Sequence, residues 1–232
     1  MRFPLSSVPP AVRPAAAHDS AAIDLWRRWT LATTVGELLG FAVPALAGAA
    51  VILALGEPDG LATALAFAAL LTLAGAGEGA VLGTAQARVL VRAIPALSRR
   101  AWVIATALAA ALAWSIGMLP STVIGRWEIP PLLIGAAAVV LVPVLLGSIG
   151  AAQWLVLRRS LPGAALWIPA NAIAWIAGLP FTVVPPMLLP NSSPVAAFVT
   201  VGIAGGVLMG ATVGAITGVA LVRLLRAAPD VH

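Results

Sequence analysis

Gly83-Thr-Ala-Gln86-Ala-Arg-Val-Leu90-Val-Arg92 recurs twice further along the chain. The second copy is Gly150-Ala-Ala-Gln153-Trp-Leu-Val-Leu157-Arg-Arg159 and the third is Gly214-Ala-Ile-Thr217-Gly-Val-Ala-Leu221-Val-Arg223. The shared pattern is Gly, Gln or Thr three residues on, Leu at plus seven and Arg at plus nine. A small residue (Ala80, Gly147, Ala211) stands three before each Gly. Each copy closes a long apolar run. Self-similarity of this kind marks a chain built from repeated units, and the unit here is a pair of membrane-spanning helices.

The composition sets the class. The chain is 61% hydrophobic and only 9% charged, with a mean hydropathy of +1.05, which is bilayer composition rather than a large soluble core. At about 20 residues per span, 232 residues hold six spans and leave no room for a soluble catalytic domain. The absence of Cys excludes disulfide and thiolate chemistry. All 13 basic residues are Arg. The bias toward Ala, Gly, Pro and Arg suggests a GC-rich bacterium, so the expected location is the bacterial cytoplasmic (inner) membrane. A basic charge of +5 would point to nucleic acid in a soluble domain. Here it reads as an Arg girdle, with anionic lipid headgroups as partners and no nucleic acid.

Residues 1–28 read as a tail, irregular through residue 22 and then interfacial at Trp26-Arg-Arg-Trp29. Spans are expected at about 30–55, 61–92, 101–119, 132–157, 164–184 and 195–225. They pair into hairpin units at 29–92, 93–159 and 160–226, followed by a short tail, 227–232. Gly56-Glu-Pro-Asp-Gly60 is a turn, and the stretches from Leu119 and from Pro185 read as the other two outer loops. On the proposed inner side lie twelve of the Arg residues, and on the outer side only Arg126. The positive-inside rule therefore puts both termini in the cytoplasm. The expected fold is an all-α integral membrane protein of three tandem parallel αα-hairpin repeats.

The odd-numbered spans carry a second pattern. Trp29, Thr33, Glu37, Gly40 match Trp167, Asn171, Trp175, Gly178. In the third span the match is Trp114 and Gly117, and aligning Trp102 demands an insertion of one turn. Glycines four apart, Gly75/Gly79/Gly83 and Gly202 through Gly218, form stripes that admit a neighbouring backbone. Gly40, Gly83, Gly117, Gly150, Gly178, Gly206, Gly210 and Gly214 are the expected packing positions.

Gln86, Gln153 and Thr217 are read either as interhelical hydrogen-bonding groups or as a polar ring around an inner vestibule. Arg92, Arg159 and Arg223 would anchor to anionic lipid or bind an anionic ligand. Trp26, Trp29, Trp102, Trp154 and Trp167 suggest an aromatic belt at headgroup depth. Glu37 and Glu78 stand inside spans, where an ionisable side chain is a functional-site hypothesis by default. Each lies about 14 Å beyond an inner Arg, so they are expected at nearly equal depth on adjacent helices, where a facing pair would retain a proton between them and could carry a proton, coordinate a cation or merely hydrogen-bond while protonated. Asn171 is positioned to join them.

No catalytic constellation is evident. His18 and His232 lie near the ends, no Ser has an activating His, and neither a metal nor another cofactor is expected. Asn191-Ser-Ser193 is formally a glycosylation acceptor. Two functions from different classes remain open. One is a small transporter or channel-like protein for a proton, cation or small solute, using Glu37 and Glu78. The other is a structural or accessory subunit, or lipid-binding scaffold, that holds homo- or hetero-oligomeric partners through its Gly faces.

Overall fold

The computed structural model describes residues 15–123, 126–190 and 192–228, with side chains from residue 19 onward. The Pro-rich start, the His18 side chain, Asn191 and His232 lie outside the described residues. The elements are α1 (Ala15–Leu55), α2 (Leu61–Ala93), α3 (Arg99–Gly117), α4 (Leu119–Val123), α5 (Pro131–Leu157), a 3-10 turn (Ala164–Leu166), α6 (Trp167–Gly178), α7 (Pro180–Met187) and α8 (Val195–Ala227). Six units are long and apolar enough to cross a membrane: α1, α2, α3 with α4, α5, α6 with α7, and α8. The chain is a multi-pass, all-helical membrane protein.

Local chemistry sets the boundaries. Gly56 takes the left-handed conformation (φ 81°) that ends α1. The Thr63 hydroxyl accepts from the Gly60 amide at 3.0 Å, starting α2, and Ser98 caps α3 through the Ala101 amide at 3.3 Å. Pro120 and Pro180 fall in the first turn of α4 and α7, where no intrahelical N–H is lost. The third and fifth spans therefore kink and continue, and part of each expected outer loop is helical. Likewise α1 begins at Ala15, inside the stretch expected to be irregular, because Ala15-Ala-Ala and Ala21-Ala22 are strong helix formers.

The six spans close into a ring. α1 packs on α2, α2 on α3, α3 on α5, α5 on α6, α6 on α8, and α8 returns to α1. An Asp19–Arg226 ion pair at 2.9 Å joins the start of α1 to the end of α8, so both described ends emerge at one end of the ring. That end also carries Arg92, Arg99, Arg100, Arg158, Arg159 and Arg223.

Burial is uneven along the axis. The main core lies at the Arg-rich end, around Trp29, Trp102, Trp167, Leu90, Leu157 and Leu221, all 0% exposed. A second cluster (Ile149, Ala174, Trp175, Met209, Val213) sits on it. Toward the other end α2 still buries Ala64 and Leu71, but α5 buries no residue before Ser148 and α8 none before Gly205. Leu53, Leu132, Val139 and Val195 stand exposed, as hydrocarbon surroundings allow, since lipid tails are as apolar as leucine.

Candidate functional site

Four positions of the recurring motif, the Gly, the Gln or Thr, the Leu and the Arg, have corresponding surroundings in all three copies. At Gly83, Gly150 and Gly214 an added Cβ would lie 3.1 Å from Thr106 Cβ, 2.8 Å from Asn171 Cβ and 3.1 Å from Thr33 Cβ. Each Gly thus lets the next odd-numbered span approach at one fixed residue. Three residues on, Gln86, Gln153 and Thr217 accept the indole N–H of Trp102 (3.3 Å), Trp167 (2.9 Å) and Trp29 (2.8 Å). Leu90, Leu157 and Leu221 are buried in the same core cluster as the indoles, and Arg92, Arg159 and Arg223 are exposed.

The three indoles meet edge to face on the axis, with centroids 6.4, 5.6 and 6.0 Å apart. Gln153 Nε2 also donates to Gln86 Oε1 (3.1 Å) and Thr106 Oγ1 (3.0 Å). Gln86 Nε2 reaches Thr33 Oγ1 at 3.4 Å. In the third copy Thr217 is too short to repeat this bond, and Asn171 Nδ2 donates instead to the Trp167 carbonyl at 3.1 Å. The layer is dry: Gln86, Gln153 and Thr217 are 4, 1 and 1% exposed. Indoles, not an inner vestibule, fill the space between Gln86, Gln153 and Thr217. The Arg-rich end of the axis is closed.

Above this plug lie the carboxylates. Glu37 stands eight residues after Trp29, where the other odd-numbered spans have Ala110 and Trp175. It is 0% exposed, and among the described residues neither of its carboxyl oxygens has a hydrogen-bond partner. Such orphaned groups are rare and call for an explanation. Glu78 lies near enough to act on it electrostatically. Gly40 makes room for the Glu78 backbone, since a Cβ there would sit 3.0 Å from the Glu78 carbonyl. On the other side, Gly210 lets α8 press onto Glu37, its Cβ position being 3.1 Å from Glu37 Cβ. Glu78 Oε2 accepts the Trp114 indole N–H at 2.6 Å.

Glu78 also forms part of the wall of a cavity of about 430 Å³, lined from five of the six spans and lying toward the end opposite the Arg residues. Phe41, Trp114, Leu145, Ile149 and Trp175 are among the other lining residues. The indole N–H of Trp175 is buried without an acceptor among the described residues. Glu37 is not among the residues that line the cavity. Among the described residues, no group of three or more His, Asp or Glu side chains could hold a metal ion.

Several expectations need correcting. Trp29, Trp102 and Trp167 do not belong to an interfacial belt: they are the centre of the core, because their N–H groups find buried acceptors. Trp154 and Trp26 do stay at the periphery. Trp154 lies under Arg158 at 4.9 Å, and Trp26 donates to the Ala215 carbonyl at 2.9 Å. Trp102 needs no inserted turn, since Thr106 follows it as Thr33 follows Trp29. Trp114 serves Glu78 instead. Gly117 is not a packing position, as an added Cβ would meet nothing within 4 Å. Gly206 makes only an ordinary contact, 3.7 Å from Leu38, whereas Gly178 is tight against Val213 at 3.0 Å. Asn171 joins the indole layer and makes no hydrogen bond to either carboxylate. The residues missed from sequence were Trp114 and Trp175 as cavity walls. The spacing Trp-x3-Thr/Asn in all three odd-numbered spans was the available signal for the central trio. Comparison with family models, curated proteins and solved structures finds nothing that matches this chain.

Proposed function

We propose that this protein is a small transporter of the bacterial inner membrane that moves a proton, cation or small solute through the Glu37–Glu78 pair. The observation that carries the reading is Glu37. A carboxyl group with two orphaned oxygens, next to a second carboxyl on a cavity wall, is costly to keep inside a membrane bundle. Pure structure would be served better by leucine.

Three tandem hairpin repeats about a pseudo-threefold axis are part of the proposal. Their support is the threefold recurrence of the Gly contact, the Trp-to-Gln/Thr bond and the buried Leu. Both termini are placed in the cytoplasm, supported by twelve Arg against one. The cavity then lies on the outer side of the indole plug, which faces the cytoplasm.

The alternative, a scaffold holding partners through its Gly faces, has less behind it. Gly79 and Gly83 press on α3, and Gly210, Gly214 and Gly218 press on α1, so these stripes are largely occupied within the chain, with Gly202 left open.

Proton and monovalent-cation flux in proteoliposomes, followed with an internal dye, tests transport. Glu37→Gln and Glu78→Gln should each reduce flux severalfold at equal protein incorporation. Unchanged flux in both variants removes the transport reading. Because the chain has no Cys, Arg126→Cys and Ala228→Cys can each be labelled with an impermeant maleimide. Labelling of both from the same side would break the proposed topology.

A further inference from the structure

We propose that the cavity beside Glu78 binds a hydrophobic organic monocation, a quaternary or protonated amine or an onium ion carrying an apolar body. This rests on the transport reading and names the substrate class. The cavity, about 430 Å³, is within the range that holds small organic molecules, and its walls are apolar and aromatic with few polar groups. Glu78 is the one ionisable side chain on those walls, and in its carboxylate form it is matched by a positively charged occupant.

The aromatic residues are arranged for such a guest. Phe41 and Trp114 sit 6.2 Å apart, tilted by 52°, and with Trp175 they bring three aromatic rings to the wall that holds the carboxylate, the side-chain type that attracts a cation. Trp114 holds one Glu78 oxygen in place. Other guests fit worse. A small metal ion asks for several oxygen ligands, and the only side-chain oxygens on the wall are those of Glu78 and the Thr182 hydroxyl, which is engaged with the Leu179 carbonyl at 3.0 Å. An anion would face the carboxylate. A lipid tail would fill the volume but leave Glu78 uncompensated. An organic cation, weakly hydrated and apolar over most of its surface, satisfies both wall and charge.

Tetraphenylphosphonium and tetraphenylborate have nearly the same size and shape but opposite charge. Equilibrium dialysis of the full-length protein in neutral detergent micelles should show saturable phosphonium binding, with the borate at least about tenfold weaker. Glu78→Gln should weaken the phosphonium about tenfold or more and leave the borate unchanged or improved, and Trp175→Leu should weaken the phosphonium severalfold. Equal binding of the two ions by the unmodified protein, or phosphonium binding unaffected by Glu78→Gln, overturns the inference. The comparison of ions needs no variant, so a misfolded mutant does not blunt it. Altered proton flux in the Glu→Gln proteins without phosphonium binding would sink this inference and leave transport standing. Phosphonium binding without any flux would uphold this inference and sink transport.

Discussion

Gln153→Leu tests the indole plug most directly. The substitution keeps side-chain volume nearly constant and removes three interhelical hydrogen bonds, at 3.1 Å to Gln86, 3.0 Å to Thr106 and 2.9 Å from Trp167. Interhelical bonds in membrane bundles contribute about 0.6 kcal/mol on average and about 1.7 at most, so three sum to about 2–5 kcal/mol. The lower half of that range is expected, because two partners keep a second bond. Gln86 Oε1 still accepts from Trp102 at 3.3 Å, and Thr106 still donates to the Trp102 carbonyl at 2.9 Å. Only the Trp167 N–H loses everything. Thr217→Val, which removes a single acceptor for Trp29 at 2.8 Å, should cost about 1 kcal/mol. Reversible unfolding in mixed micelles, followed by tryptophan emission, gives both values. A cycle pairing Gln153→Leu with Trp167→Phe isolates their coupling. If Gln153→Leu destabilises no more than Leu155→Ala, at a half-exposed site (48%), then the network adds nothing to stability and the account of the motif is wrong.

Other expectations are simpler. Gly79→Ala puts a Cβ 2.6 Å from Ala110 Cβ and 2.7 Å from the Thr106 carbonyl, so α2 and α3 must separate at a cost of about 1–3 kcal/mol; Gly117→Ala, with open space around it, should be neutral or stabilising in the same unfolding assay. Trp114→Phe removes the N–H that steadies Glu78 while keeping an aromatic wall, so phosphonium affinity should fall less than in Glu78→Gln; an equal or larger fall would mean that Glu78 is not the counter-charge. Replacing Arg92, Arg159 and Arg223 together by Gln should lower the enrichment of phosphatidylglycerol over phosphatidylcholine around the protein, at about 1 kcal/mol per charge. Lipid retention in native mass spectrometry would show it, and an unchanged ratio would remove their role as lipid anchors.

The sequence by itself determined the class and the positions of the spans. Lipid-facing helices must be apolar over about 20 residues, a one-dimensional property that needs no partner to be read. It also marked Gly83, Gln86, Leu90 and Arg92 with their counterparts as a set, and Glu37 and Glu78 as out of place. What it left undecided was what each member of the set touches. Trp29 and Trp154 look alike in sequence, both near an Arg-rich span end. Tertiary structure alone sends Trp29 to the axis and leaves Trp154 beside Arg158. The reason is that an indole N–H can be buried only where an acceptor waits, and the acceptors Thr217, Gln86 and Gln153 come from spans on the neighbouring side of the ring. The closure of α8 onto α1 is equally non-local: no pattern within either helix specifies it, and it exists because Gly210, Gly214 and Gly218 meet small and aromatic residues of α1. The cavity is legible only after closure, since Phe41, Glu78, Trp114 and Trp175 share nothing along the chain except the space they enclose.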